Sequence, residues 1–95
     1  MRADFHPAAD AELAAAKEWY AERSEAASRA FTEEVARAVE SIMEGPERWR
    51  VTAVDARRYV LPMFPFSIVY RTIADGIVVL AVAHHRRRPG YWQGR

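Results

Sequence analysis

The sequence predicts an α+β domain: a helical hairpin packed on one face of a small antiparallel sheet, in the order β-α-α-β-β-β. Three observations predict it. Apolar residues recur every three or four positions as far as Ile42, then run in β-branched and aromatic stretches from Arg57 onward. Gly45-Pro46 stands at the change, a glycine to close a helix and a proline to forbid its continuation. Charge divides at the same place. Residues 1–47 carry 11 acids and 5 bases (−6), residues 48–95 carry 2 acids and 9 bases (+7), and the two halves sum to +1.

The elements follow in order. Residues 2–6 (RADFH) form a short first strand, and Pro7 suits the first turn of a helix, where its missing N–H costs nothing. The spacing of Ala9, Leu13, Ala16 and Tyr20 predicts a helix over residues 8–23 with one buried stripe, which Trp19 widens. Ser24 caps a second helix. Its buried face reads Ala27, Phe31, Val35, Ala38, Val39 and Ile42, while Glu25, Arg29, Glu33 and Arg37 form a solvated ladder of alternating charge. So short a joint makes the pair an antiparallel hairpin. Three strands follow, over residues 57–64, 65–73 and 76–85. Asp75-Gly76 marks a tight turn between the last two. Pro62 and Pro65 flank Met63-Phe64 and impose an edge or a bend. The last strand is apolar on both faces from Ile77 to Ala83, so it is central or covered on both sides.

Ninety-five residues make one domain, spanning 1–95. The chain has no cysteine, which excludes disulfides, thiolate metal sites and cysteine nucleophiles, and fits a reducing compartment. Its longest apolar run, Ile77–Ala83, falls far short of the ~20 residues a membrane helix needs. The N-terminal stretch sets acids among its alanines, unlike a signal peptide. A soluble, cytoplasmic protein with no membrane partner is expected.

Of 14 basic residues only Lys17 is a lysine. The planar fork of arginine grips phosphate or carboxylate at two points, so an arginine-rich half is a candidate anion-binding surface. The candidates are Arg58, Arg71, Arg86, Arg87 and Arg88. In a simple meander Arg58 and Arg71 lie near one end of the sheet, and Arg86–Arg88 fall a strand's length from Arg71. His84 and His85 alternate to opposite faces and cannot share a metal ion. With His6 the only other histidine and no HxH or HExxH spacing, no metal site and no cofactor are expected. Either histidine can serve as a general acid near neutral pH, or simply bond a neighbour. Trp92 is expected to fold back over a core edge; Tyr91 either does the same or stacks on a nucleobase. Only Asp55 and Asp75 supply carboxylates in the basic half, so acid–base chemistry there rests on His or Tyr.

Four stretches, WYAERSEAASRAFTEEVARAVESI, GPERWR, RRYVLPMFPFSIVYR and ADGIVVLAVAHHRRRPGYW, together resemble bacterial toxins of the RelE/ParE superfamily, over residues 5–92. The most specific pieces are FPFSIVYR, closed by Arg71, and VLAVAHHRRRPGYW. The resemblance implies the toxin of a type II toxin–antitoxin module, neutralised by a cognate antitoxin whose flexible C-terminal segment wraps it. Operator DNA would be bound only through that antitoxin. It also implies one of two mechanisms. ParE-like members inhibit DNA gyrase, whereas RelE-like members cleave mRNA on the ribosome. In the ribonuclease branch Arg58 and Arg71 match phosphate-holding strand arginines, and His84, His85, Arg86 and Tyr91 fall in the segment that supplies catalytic groups. This sequence lacks the lysine-rich strand of those ribonucleases and any strand glutamate, and its helical hairpin is long. These departures favour the ParE branch. An inactive homologue, or a plain anion- or nucleic-acid-binding module, is the remaining alternative.

Overall fold

Both helices begin where the sequence supplies a cap. A computed structural model describes residues 1–53 and 55–95. Strand β1 (Arg2–Phe5) leads into α1 (Pro7–Ala21), whose N-terminus is capped by His6, its Nδ1 accepting the Ala8 N–H at 3.0 Å. Helix α2 (Glu25–Glu44) starts at Ser24, whose Oγ accepts the Ala27 N–H at 3.2 Å, and stops at Gly45. Neither helix is long and apolar enough to cross a membrane, among the described residues. A 3-10 turn at Pro46–Arg48 then leads to β2 (Arg50–Ala53), β3 (Ala56–Val60), β4 (Phe66–Ile73) and β5 (Gly76–His84).

The helical hairpin and the α+β class stand as expected, and the sheet has two features that periodicity does not give. It has five strands in the order β1-β5-β4-β3-β2, with β2 an additional edge strand. It is mixed, because β1 runs parallel to β5, pairing Arg2 with Gly76 through Phe5 with Val79. The strand expected over 57–64 ends at Val60, since Pro62 cannot donate to a ladder. The bend that follows is pinned to α2 by buried Glu34, whose Oε2 accepts the Met63 N–H at 3.2 Å.

Between α1, α2 and the sheet lies the main core, built on Phe31, Val35, Ala38, Ile42, Phe66, Ile68, Tyr70, Ile77, Val79 and Val82. Phe31 packs against Tyr20, Phe64 and Phe66 with ring centroids 5.1–5.3 Å apart. Burial of each such side chain stabilises by roughly 1.5–3 kcal/mol. Trp19 does not join them: it is half exposed at the edge of α1, with the Arg23 guanidinium 3.6 Å from its ring centroid.

The opposite face of the sheet carries a second, smaller apolar cluster of Ala56, Val69, Leu80, Ala81 and Trp92. A slip of register between Val69 and Tyr70 opposite β5 makes it possible. It lets two successive residues, Leu80 and Ala81, serve this face, while Val79 and Val82 both belong to the main core. Trp92, 8% exposed, comes back from the C-terminal segment to cover them.

Gly76 follows the turn rather than forming it, with φ of +146° in the first residue of β5. A Cβ there would lie 1.8 Å from the Arg2 carbonyl oxygen. Gly76→Ala is expected to cost more than about 2 kcal/mol in denaturant unfolding, because β1 must withdraw from β5. The neighbouring Asp75→Ala, at an exposed turn position, is expected to shift stability by less than about 0.5 kcal/mol.

Candidate functional site

After His84 the chain leaves the sheet and turns back across the helix-free face as a strap, residues 85–95. Strand alternation sends the paired histidines to opposite sides, as their adjacency demands. His84 packs edge-on against Phe66 at 4.9 Å, in a groove with Glu12, Trp19, Tyr20, Val82, Arg86 and Arg87. Its Nδ1 accepts the Arg86 N–H at 3.0 Å. Burial, then the charges of Arg86 and His85, lower its pKa from the usual histidine value and so favour the neutral ring. His85 faces the other way, its Nε2 3.0 Å from Oγ of buried Ser67.

On that second side the strap encloses a cavity of about 170 Å³ lined by Thr52, Arg58, Ser67, His85, Arg87, Arg88 and Trp92, among others. Arg58 reaches it because it stands opposite Val69 in the β3–β4 ladder, on the helix-free face. Among the described residues no aspartate or glutamate lines the cavity. It therefore gathers cations and hydrogen-bond donors around one concave surface, an arrangement suited to an anionic group.

Arg71 and Arg86 stand apart from this cavity. Arg71 lies opposite Val78, further along β4, beside a cavity it shares with Asp55, Ala56 and Arg57, and its Nη1 donates to the Arg95 carbonyl at 3.4 Å. Arg86 lines the groove around His84. So Arg58, Arg87, Arg88 and His85 come together, His84 and Arg87 line both this cavity and the groove on the helix side, and Arg71 and Arg86 face other surroundings. Among the described residues no cluster of three His, Asp or Glu side chains is placed to hold a metal ion.

Tyr91 lines the same cavity, but its hydroxyl points elsewhere, donating to Glu12 Oε2 on α1 at 2.8 Å. Burial, then the bond and charge of Glu12, push the phenol up to about 12. Glu12 is the residue that sequence reasoning passed over. Its Oε1 accepts the Val82 N–H at 3.0 Å, and both of its oxygens accept from the Arg95 guanidinium at 3.0 Å. Arg95 in turn donates to the Leu80 carbonyl at 3.0 Å. Burial alone would raise the Glu12 carboxyl; the bonds from Arg95, Tyr91 and Val82 outweigh it and hold the pKa below the ordinary carboxylate value. A signal existed in the sequence: Glu12 sits three residues after Ala9 and four before Ala16, on the buried stripe of α1.

Comparison with known proteins agrees with this architecture. The model of the family described as the ParE toxin of the type II toxin–antitoxin system, parDE, matches residues 3–89. Curated proteins give no match. A solved structure, the chromosomal ParDE TA system from P. aeruginosa, aligns with a TM-score of 0.75 and 20% identity, covering 88% of this chain and 95% of that one. At that identity the likeness concerns the fold.

The Glu12 cluster sets a pH dependence with two limbs. A lowered folded pKa means that Glu12 adds stability above its unfolded value of 4.5, lost as pH falls through the folded value. A raised phenol pKa means that Tyr91 adds stability fully present below 10, lost as pH climbs from 10 towards about 12. Ring-carbon NMR titration is expected to show Tyr91 ionising near 12; ionisation near 10 would mean that the Glu12 bond does not form in solution.

Proposed function

The chain belongs to the ParE toxin family of type II toxin–antitoxin systems, and we propose that it arrests growth by binding DNA gyrase, without covalent chemistry of its own. One observation carries this reading: the acid–base candidates that line the basic cavity, His84, His85 and Tyr91, are each engaged by a partner within the protein. Cleavage by 2′-OH attack needs a base for the hydroxyl and an acid for the leaving oxygen, both within reach of one phosphate. The Tyr91 hydroxyl donates its hydrogen bond to Glu12, His84 Nδ1 accepts from the Arg86 N–H, and among the described residues no carboxylate lines the cavity. His85 meets the arginines there too, its Nε2 3.0 Å from Ser67 Oγ. Cations without a free acid–base pair bind and orient an anionic surface rather than turn it over.

The partner of such a toxin is a cognate antitoxin, which carries any operator-DNA binding, and the site of action is the cytoplasm, where gyrase works. The basic strap and the half-exposed Trp19 edge suit an acidic, amphipathic antitoxin segment that orders on binding.

Ribosome-dependent mRNA cleavage is the second reading. It is favoured by the Ser67–His85 contact beside Arg58, Arg87 and Arg88. Two assays on the purified chain separate the readings. Supercoiling of relaxed plasmid by gyrase is expected to be inhibited, and primer extension on mRNA from a purified translation system is expected to show intact message. Discrete cleavages within codons, with supercoiling unimpaired, would overturn the gyrase reading. In cells, simultaneous Arg86→Ala and Arg87→Ala is expected to relieve growth arrest while circular dichroism stays unchanged. Full toxicity at equal expression would show that the strap arginines do not act, and absence of arrest by the wild-type chain would mark an inactive homologue.

A further inference from the structure

We propose that Glu12, on α1 and outside the basic cavity, is the positioning residue that holds the strap arginines in their acting arrangement. The inference rests on the reading that the strap meets the toxin's target, and not on which target that is. After His85, whose N–H donates to the Pro65 carbonyl at 2.9 Å, the backbone bonds of the strap are local: Arg87 to His84, Tyr91 to Arg88, Gln93 to Gly90 and Arg95 to Trp92. Such three-residue turns give shape but no attachment. Attachment comes from Trp92 in its apolar slot and from the polar links of Tyr91 and Arg95, and both of those side chains meet on the Glu12 carboxylate.

The link from Glu12 to the strap arginines runs through Tyr91 to Arg87. Its bond to the Tyr91 hydroxyl fixes the phenol ring, and the Arg87 guanidinium lies 3.9 Å from the centroid of that ring. Arg87 and Arg88 otherwise have no hydrogen bond or ion pair from their side chains among the described residues, and both are exposed. Stacking on Tyr91 is thus what holds Arg87 where it borders both the cavity with Arg58 and His85 and the groove around His84. Glu12 itself is only 16% exposed and Arg95 18%, so their pairing is shielded from solvent screening. The carboxylate does not itself line the basic cavity; it acts through Tyr91.

The test uses Glu12→Ala, Glu12→Gln and Tyr91→Phe combined with Arg95→Ala in the full chain, with two readouts. By hydrogen exchange, amides of residues 86–95 in Glu12→Ala are expected to exchange at least tenfold faster, while α2 and β4 keep their protection. In cells, at matched soluble protein, the inducer level needed for growth arrest is expected to rise at least tenfold. Glu12→Gln, which drops the charge and keeps an acceptor oxygen for only one of Val82 and Tyr91, is expected to fall between the wild type and the alanine variant. A purely structural role would lower melting temperature without moving the arrest threshold in cells grown well below melting. An unchanged or lower threshold with a loosened strap would therefore overturn the proposal, as would a strap whose exchange does not change. Should Glu12→Ala fail to fold, Tyr91→Phe combined with Arg95→Ala decides by the same criteria, since the pair removes both links of the strap to Glu12 and leaves Glu12 bonded to Val82. Growth arrest that depends on Glu12, beside a wild-type chain that leaves gyrase untouched, would retire the gyrase reading and keep this one.

Discussion

The free edge of β5 is the constraint around which the molecule is arranged. Strand β1 is only four residues long and pairs with β5 no further than Val79, after which the chain turns into α1. Beyond that point the Val82 N–H and the Leu80 carbonyl have no strand to meet, and a buried backbone group left unpaired costs about 1–3 kcal/mol. Glu12 and Arg95 stand in for the missing strand, one accepting from Val82 and the other donating to Leu80. Because the two side chains also pair with each other, capping the edge and fastening the strap are the same event.

From that event follows the division of the protein into two faces. The helix side is a conventional core of aromatic and aliphatic side chains. The opposite face would be left bare by a two-helix hairpin, and it is covered by the strap, with Trp92 set on small residues, Ala56 and Ala81, that leave room for an indole. The path of the strap decides which arginines gather. Those at its turn meet Arg58, while Arg71, several residues further along β4, contacts only the end of the strap.

The helices, their caps at Ser24 and Gly45, the opposite facing of His84 and His85, and the covering role of Trp92 were legible in the sequence. Each depends on local periodicity or on one residue's stereochemistry. The direction of β1 and the existence of β2 were not, because pairing direction is set by where distant segments meet. Trp19 was misjudged as a core residue; its position on the border of the stripe let either burial or stacking under Arg23 win. The gathering of Arg58 with Arg87 and Arg88 was also hidden, since it depends on the strap reversing over the sheet at Pro89–Gly90, where Gly90 adopts φ of +76°. Glu12 was readable in principle as an acid on an apolar stripe, and Glu34 on α2 shows the same signature with a different bond to close. Arg95 carries no comparable mark.

A double-mutant cycle between Glu12 and Arg95 tests this arrangement most directly, with Glu12→Gln, Arg95→Ala and the pair compared by urea unfolding at pH 7. A coupling of about 1 kcal/mol or more, shrinking as pH drops below the carboxylate range, is the result predicted for a shielded pair that closes the sheet edge. Additivity within about 0.3 kcal/mol at pH 7 would contradict it, and would show that the strap is fastened by contacts other than this pair.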